Sequence, residues 1–327
     1  MRHRPLRWAR TGLAACMALL LCAFGCGGSG AAAPPAPKVP AFDAARAFAD
    51  LETQVAFGPR APGTPERAAA LKWLRTTLAE GAVQFKDQAF TFEPTDGSEP
   101  IQGNNLLARF SAQLGAGGEP LMISAHWDCR PVADQDAIPA NRTKAVPGAN
   151  DSASGVAVIL ELARIFRAQP PPRPVILALW DLEDSGQLPH TNGTPYMGFC
   201  QGSRYFAQNH EGWRPAEAIN IDMIGDANLD IYREGYSELS HPELLDRIFA
   251  AAARLGHRQF VNEPGTLITD DHKPLIDVGI PAVDLIDLDY PGPRSNRYWH
   301  TLMDTPEHCS PESLRAVGET LLAVIYG

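Results

Sequence analysis

The chain predicts an α/β fold: a mostly parallel mixed sheet with helices on both faces. Short apolar runs at residues 121–125, 175–180, 218–224 and 280–288 alternate with segments that are apolar at helical spacing. Near-continuous apolar strands of this kind belong in parallel sheets covered on both sides. Acids and histidines follow the carboxyl ends of those runs, which is where open α/β sheets bind ligands.

In chain order, residues 1–25 read as an export signal. Arg2, Arg4, Arg7 and Arg10 make a basic start, and residues 11–24 form an apolar stretch too short to span a bilayer comfortably. Gly25-Cys26 resembles a bacterial lipobox with Cys26 as the lipidated residue, although Ala23 and Phe24 depart from the preferred leucine and small residue. Residues 26–40 are rich in Gly, Ala and Pro and suit a flexible tether. The expectation is an exported protein, periplasmic or held to a membrane only through that lipid.

Residues 41–327 have the length of one α/β domain. Helices are expected at 43–55 and 64–78, the second opened by Thr64 as cap and Pro65 at the first helical position. Strands follow at 83–92, 105–110 and 121–125. The small-residue loop 147–155 carries one acid, Asp151, and runs into a helix whose stripe is Val156, Ile159, Leu160, Ala163 and Phe166. On this loop alone Asp151 reads equally well as a helix cap. A proline-rich connector at 170–174 leads into strand 175–180. Helix 203–209, strand 218–224, helix 241–255, strand 280–288 and helix 311–325 complete the series. Trp73, Trp180 and Trp213 read as core packing, and His190, His210, His241 and His257 as surface residues.

Without residues 1–25, which hold four arginines and no acid, the chain has 24 basic and 38 acidic residues, a net charge of −14. That excludes a nucleic-acid partner, which needs a basic face. Cys129, Cys200 and Cys309 are an odd set with no zinc-finger spacing, so the cysteines are not the expected metal site.

His126 and Asp128, then Asp181, Glu183 and Asp184, then Asp222, then Asp270, Asp271 and His272, and last His300 stand near strand ends. Five such groups converging on one rim would repel one another unless protons or a cation intervened. Oxygen donors with imidazole suit zinc, which takes three protein ligands and keeps an open position when catalytic.

His126-x-Asp128, Gly148-Ala149-Asn150-Asp151, Glu183-Asp184, Asp222 and His300-Thr301, in that order, resemble the zinc-dependent aminopeptidase superfamily. Phe57-Gly58-Pro59-Arg60 and Asn104-Asn105 resemble its N-terminal signatures, so the likeness covers most of residues 41–327 as a single domain. Within it, residues 125–131, Asp181-Leu182-Glu183-Asp184, residues 233–237, Thr269-Asp270-Asp271-His272 and Tyr298-Trp299-His300-Thr301 are similar to the glutaminyl cyclases, especially their bacterial branch.

By that resemblance Asp151, Asp184 and His300 match the ligands of a single zinc. Glu183 matches the general acid/base, Asp222 and Asp270 its hydrogen-bonded carboxylate partners, and Trp299 an aromatic wall of the substrate pocket. His126 matches a residue that binds a second metal in two-zinc peptidases; in a one-zinc site it would face the substrate. The chain departs from the animal cyclases at Asp184, where they have Glu, and at Asp284, where they have His. The segment 187–199 is expected as a loop near the site.

The implied reaction converts N-terminal glutamine of a peptide or protein to pyroglutamate with release of ammonia, by a monomer. Two alternatives stay open: a two-zinc exopeptidase, and a non-catalytic binding domain of the same fold. Asp270 before the Asp271-His272 pair, where the peptidases commonly have Ser, and Trp299 favour the cyclase.

Overall fold

The computed structural model describes residues 38–94, 97–114, 117–186 and 198–327. The expected export signal, the Cys26 anchor, most of the tether, His190 and most of the loop at 187–199 therefore lie outside the described residues.

Among these residues the strands are β1 (Gln84–Phe92), β2 (Ile101–Phe110), β3 (Leu121–His126), β4 (Val175–Trp180), β5 (Glu217–Asp222), β6 (Ile231–Arg233), β7 (Phe260–Pro264) and β8 (Ala282–Ile286). The helices are α1 (Ala44–Ala56), α2 (Pro65–Ala79), α3 (Gly155–Ala168), α4 (Gln201–Gln208), α5 (Gly235–Ser240), α6 (Pro242–Leu255), α7 (His272–Asp277) and α8 (Pro311–Tyr326).

Six strands make one sheet in the order β1-β2-β4-β3-β5-β8, and β6 pairs with β7 separately. β4, β3, β5 and β8 run parallel, with His126 opposite Trp180 and Asp222 opposite Ile286, so their carboxyl ends share one rim. β1 and β2 extend the sheet antiparallel. The four parallel strands are buried at every position, whereas β1 is mostly exposed, as befits an edge.

Side-chain alternation along the strands divides the core. Leu121, Ile123, Leu177 and Leu179 pack with α1, α2, α3, α6 and α8 on one face; Met122, Ile176, Ala178 and Trp180 pack with α4 and α7 on the other. The expected double-covered sheet is thus observed, and Trp180 and Trp213 are buried core residues with Trp73 packed at the margin.

Local chemistry sets the helix starts. Asp43 accepts the Arg46 N–H at 3.0 Å and Thr64 the Arg67 N–H at 3.2 Å, with Pro65 at the first helical position. α3 lies close to the sheet through Gly155, where a Cβ would meet Ile221 O at 2.7 Å and Ala125 Cβ at 2.9 Å.

Some elements differ from the sequence reading. β5 stops at Asp222, two residues early, because Met223 turns to φ 50°. β8 is shorter at both ends than residues 280–288. β6, β7, α5 and α7 span three to six residues, too short for a periodic pattern to register. His241 and His257 are not surface residues: they are partly buried against Glu217 (2.8 Å) and Glu319 (3.0 Å). Among the described residues Cys129, Cys200 and Cys309 form no disulfide and are buried.

Candidate functional site

The loop 147–155 is held from three sides. Buried Arg60 donates to the carbonyls of Trp127 (3.1 Å), Pro147 (3.2 Å) and Gly148 (2.5 Å), tying the loop to the end of β3. Asp304 accepts the N–H groups of Asn150 (2.8 Å) and Asp151 (3.3 Å), and Asn150 Oδ1 accepts from Gly225 N at 2.7 Å. Gly148 adopts φ 72°, and a Cβ on it would strike Arg60 Nη2 at 2.6 Å. Among the described residues no side chain caps the start of α3, so Asp151 is not seen in the capping role left open for it.

The turn after β4 presents Glu183 and Asp184 together. Leu182 bends it at φ 55°, and Asp128 clamps it by accepting the backbone N–H groups of Glu183 (3.1 Å) and Asp184 (3.2 Å). Arg130 holds the far side through the carbonyls of Asp184 (2.9 Å) and Gly186 (2.6 Å). His300 arrives at φ 56° with Trp299 stacked on it, ring centroids 3.6 Å apart and planes at 22°.

Asp151, Asp184 and His300 present donor atoms within 4.8 Å of one another, and His126, Asp151 and Asp222 form a second such group that shares Asp151. His300 Nε2 lies 3.1 Å from Asp184 Oδ1 and 3.8 Å from Asp151 Oδ2; His126 Nε2 lies 3.1 Å from both Asp151 Oδ1 and Asp222 Oδ1. Asp184 is 1 % exposed, and among the described residues neither of its carboxylate oxygens has a hydrogen-bond partner of good geometry, although Oδ1 lies 3.6 Å from Arg130 Nη1. A buried carboxylate left so, facing an imidazole and a second carboxylate, fits a divalent cation with oxygen and nitrogen ligands.

The electrostatics ask for the same positive charge. Burial works against protonating His126, yet Asp222, Asp128 and Asp151 hold its pKa well above the ordinary value. His300, likewise buried, is raised to about 9 by Asp184, Asp134 and Asp151. Burial pushes Glu183 well up, and Asp184, Asp270 and Asp271 add to it. Asp270 rises to about 6 through burial and the charge of Asp222.

A cavity of about 880 Å³ opens over this rim, lined by Asp151, Glu183, Asp184, Asp222, Asp270, Trp299 and His300 with Phe199, Ile268, Ile286 and Leu288. Seven of the eight residues singled out in the sequence therefore meet there. His126 is not among the residues lining that cavity: it is 1 % exposed, with Nε2 3.1 Å from a carboxylate oxygen of each of Asp151 and Asp222. The expected hydrogen-bonded carboxylate trio also differs. Asp222 Oδ1 pairs with His126, and Asp270 accepts from Asn220 (3.1 Å) and from the Asp271 amide, and Asp270 acts on Glu183 as a neighbouring charge.

Several residues of the site carry no sequence pattern. Asp134 lies 3.4 Å from His300 Nδ1, Asp304 braces the loop, and Cys200 Sγ lies 3.2 Å from Glu183 Oε1. Only spacing could have pointed to Asp304, four residues beyond His300.

A family model described as peptidase family M28 matches residues 105–325. Among solved structures, the Bacteroides thetaiotaomicron glutaminyl cyclase bound to N-acetylhistamine is 33 % identical with a TM-score of 0.81, covering 89 % of this chain and 99 % of that one. A Zn-dependent exopeptidase from Parabacteroides distasonis is 31 % identical with a TM-score of 0.82, covering 89 % and 100 %. The aminopeptidase YwaD of Bacillus subtilis is 24 % identical over 62 % of this chain, and the match spans 40 % of that protein's length.

Proposed function

This chain belongs to peptidase family M28 and is a zinc-dependent enzyme, and from that premise we propose that it is a glutaminyl-peptide cyclotransferase. Its substrate is a peptide or protein with N-terminal glutamine. The observation that carries the reading is Trp299: its indole stacks on His300 and lines the cavity that Asp151, Asp184 and His300 also line. An apolar wall there suits a glutaminyl side chain folded back on its own amine. Asp270, a carboxylate lining the cavity near Glu183, supports the same reading.

Asp151, Asp184 and His300 would hold one zinc, which when bound supplies a Lewis acid toward the side-chain amide oxygen. Glu183 takes a proton from the substrate α-amine as its nitrogen bonds to the amide carbon. It returns that proton to the amide nitrogen as the old carbon–nitrogen bond breaks and ammonia leaves. Burial, with Asp184 and Asp270 nearby, keeps the Glu183 carboxyl ready to hold that proton. Asp128 and Arg130 keep the turn in place while the proton moves.

A two-zinc exopeptidase is the second reading, favoured by the His126, Asp151 and Asp222 group. Glu183 would then take its proton from water. Incubation with a glutaminyl peptide and a leucyl peptide, followed by mass spectrometry, separates the two. Ammonia and a pyroglutamyl product from the first, with the second intact, is the expected result; free leucine with an unchanged glutaminyl peptide would overturn it.

A further inference from the structure

The side chain of Glu183 has a close neighbour, Cys200, outside the Asp151, Asp184 and His300 group. Cys200 stands at the start of α4 in the left-handed region, φ 57°, and is fully buried. Its N–H donates to Glu183 O at 2.9 Å and its Sγ lies 3.2 Å from Glu183 Oε1. The next N–H, of Gln201, donates to Leu182 O at 3.1 Å. The helix start is pressed onto the turn so closely that a Cβ at Gly202 would meet Asp181 O at 2.5 Å. Ser203 fixes the other side, its Oγ within hydrogen-bond distance of Cys200 O (3.1 Å) and Asp271 Oδ1 (2.5 Å).

We propose that Cys200 is a positioning residue: its thiol donates to the Glu183 carboxylate and fixes the rotamer from which Glu183 carries the proton. One residue thus grips Glu183 at both its backbone carbonyl and its side chain. The thiol is the donor, because burial, then Glu183, Asp271 and Asp270, all disfavour the thiolate. Asp128 and Arg130 hold the turn's backbone, and among the described residues a side-chain hydrogen bond to Glu183 comes from Cys200. Without it the carboxyl can rotate away from the reacting nitrogen while the turn stays where it is.

The inference rests on Glu183 as the proton carrier, a role it has in both readings above, so the assay uses whichever peptide the unaltered protein turns over. Cys200→Ala is expected to lower kcat ~10-fold through misplacement of the carboxyl. KM, zinc content and Tm stay close to those of the unaltered protein. Cys200→Ser, which restores a donor, recovers most of kcat. In a Glu183→Gln background, itself down ~10²-fold from loss of the acid/base, adding Cys200→Ala costs nothing further. Full kcat in Cys200→Ala overturns the proposal. So does an equal loss in both backgrounds, or loss of Tm alongside kcat in Ala and Ser variants alike. An active Glu183→Gln single variant overturns instead the role of Glu183.

Discussion

Asp151 Oδ1 lies 3.1 Å from His126 Nε2, while Oδ2 of the same carboxylate faces His300 Nε2 at 3.8 Å. One side chain therefore joins two groups of potential ligands, and its position depends on Arg60 and Asp304, far from it in sequence.

That sharing makes the ligand variants unequal. Asp151→Ala removes a donor from both groups, and His300→Ala from one. Both variants are expected to lose zinc and turnover, because each takes one of only three protein ligands. His126→Ala is expected to keep one zinc. Metal analysis of the purified variants checks this: full zinc in His300→Ala with near-normal turnover would refute the assignment.

Removing the metal should expose a pH dependence of the fold. In the metal-free chain His300 is held at about 9, above its ordinary 6.5. A raised histidine stabilises the fold below the unfolded value, and that stability is lost as pH rises through the folded value. The raised carboxyls of Asp222 and Asp270 act in the same direction at lower pH. After chelation, Tm is therefore expected to fall as pH rises from about 6.5 to 9, with the slope largely abolished when zinc is restored. A chelated protein whose Tm rises over that range would contradict the electrostatic account.

Gly155 offers a test of how the site is seated. A Cβ there meets the Ile221 carbonyl and the Ala125 side chain, one of them backbone that cannot step aside. Gly155→Ala is expected to cost about 1–3 kcal/mol by overpacking, read by denaturant unfolding. Because the loop leads into this helix, zinc affinity should weaken with it. Wild-type stability in this variant would mean that α3 can move off the sheet freely.

The sequence carried the regular frame because that frame repeats a physical rule. Burial on both faces makes β3, β4, β5 and β8 continuous apolar runs, and the α3 stripe repeats at the helical period, so each is visible locally. The order of motifs from His126 to His300 likewise indicated which acids share a rim. The tertiary structure decided the rest. Sequence could not place His126 against both Asp151 and Asp222, because that contact depends on how β3 and β5 pair. Nor could it find Cys200 against Glu183, or Asp134 against His300: these contacts join segments with no shared periodicity, brought together when α4 and the loops close over the sheet. Short elements such as β6 and α7 were hidden for the same reason, since they are held by packing rather than by a pattern of their own.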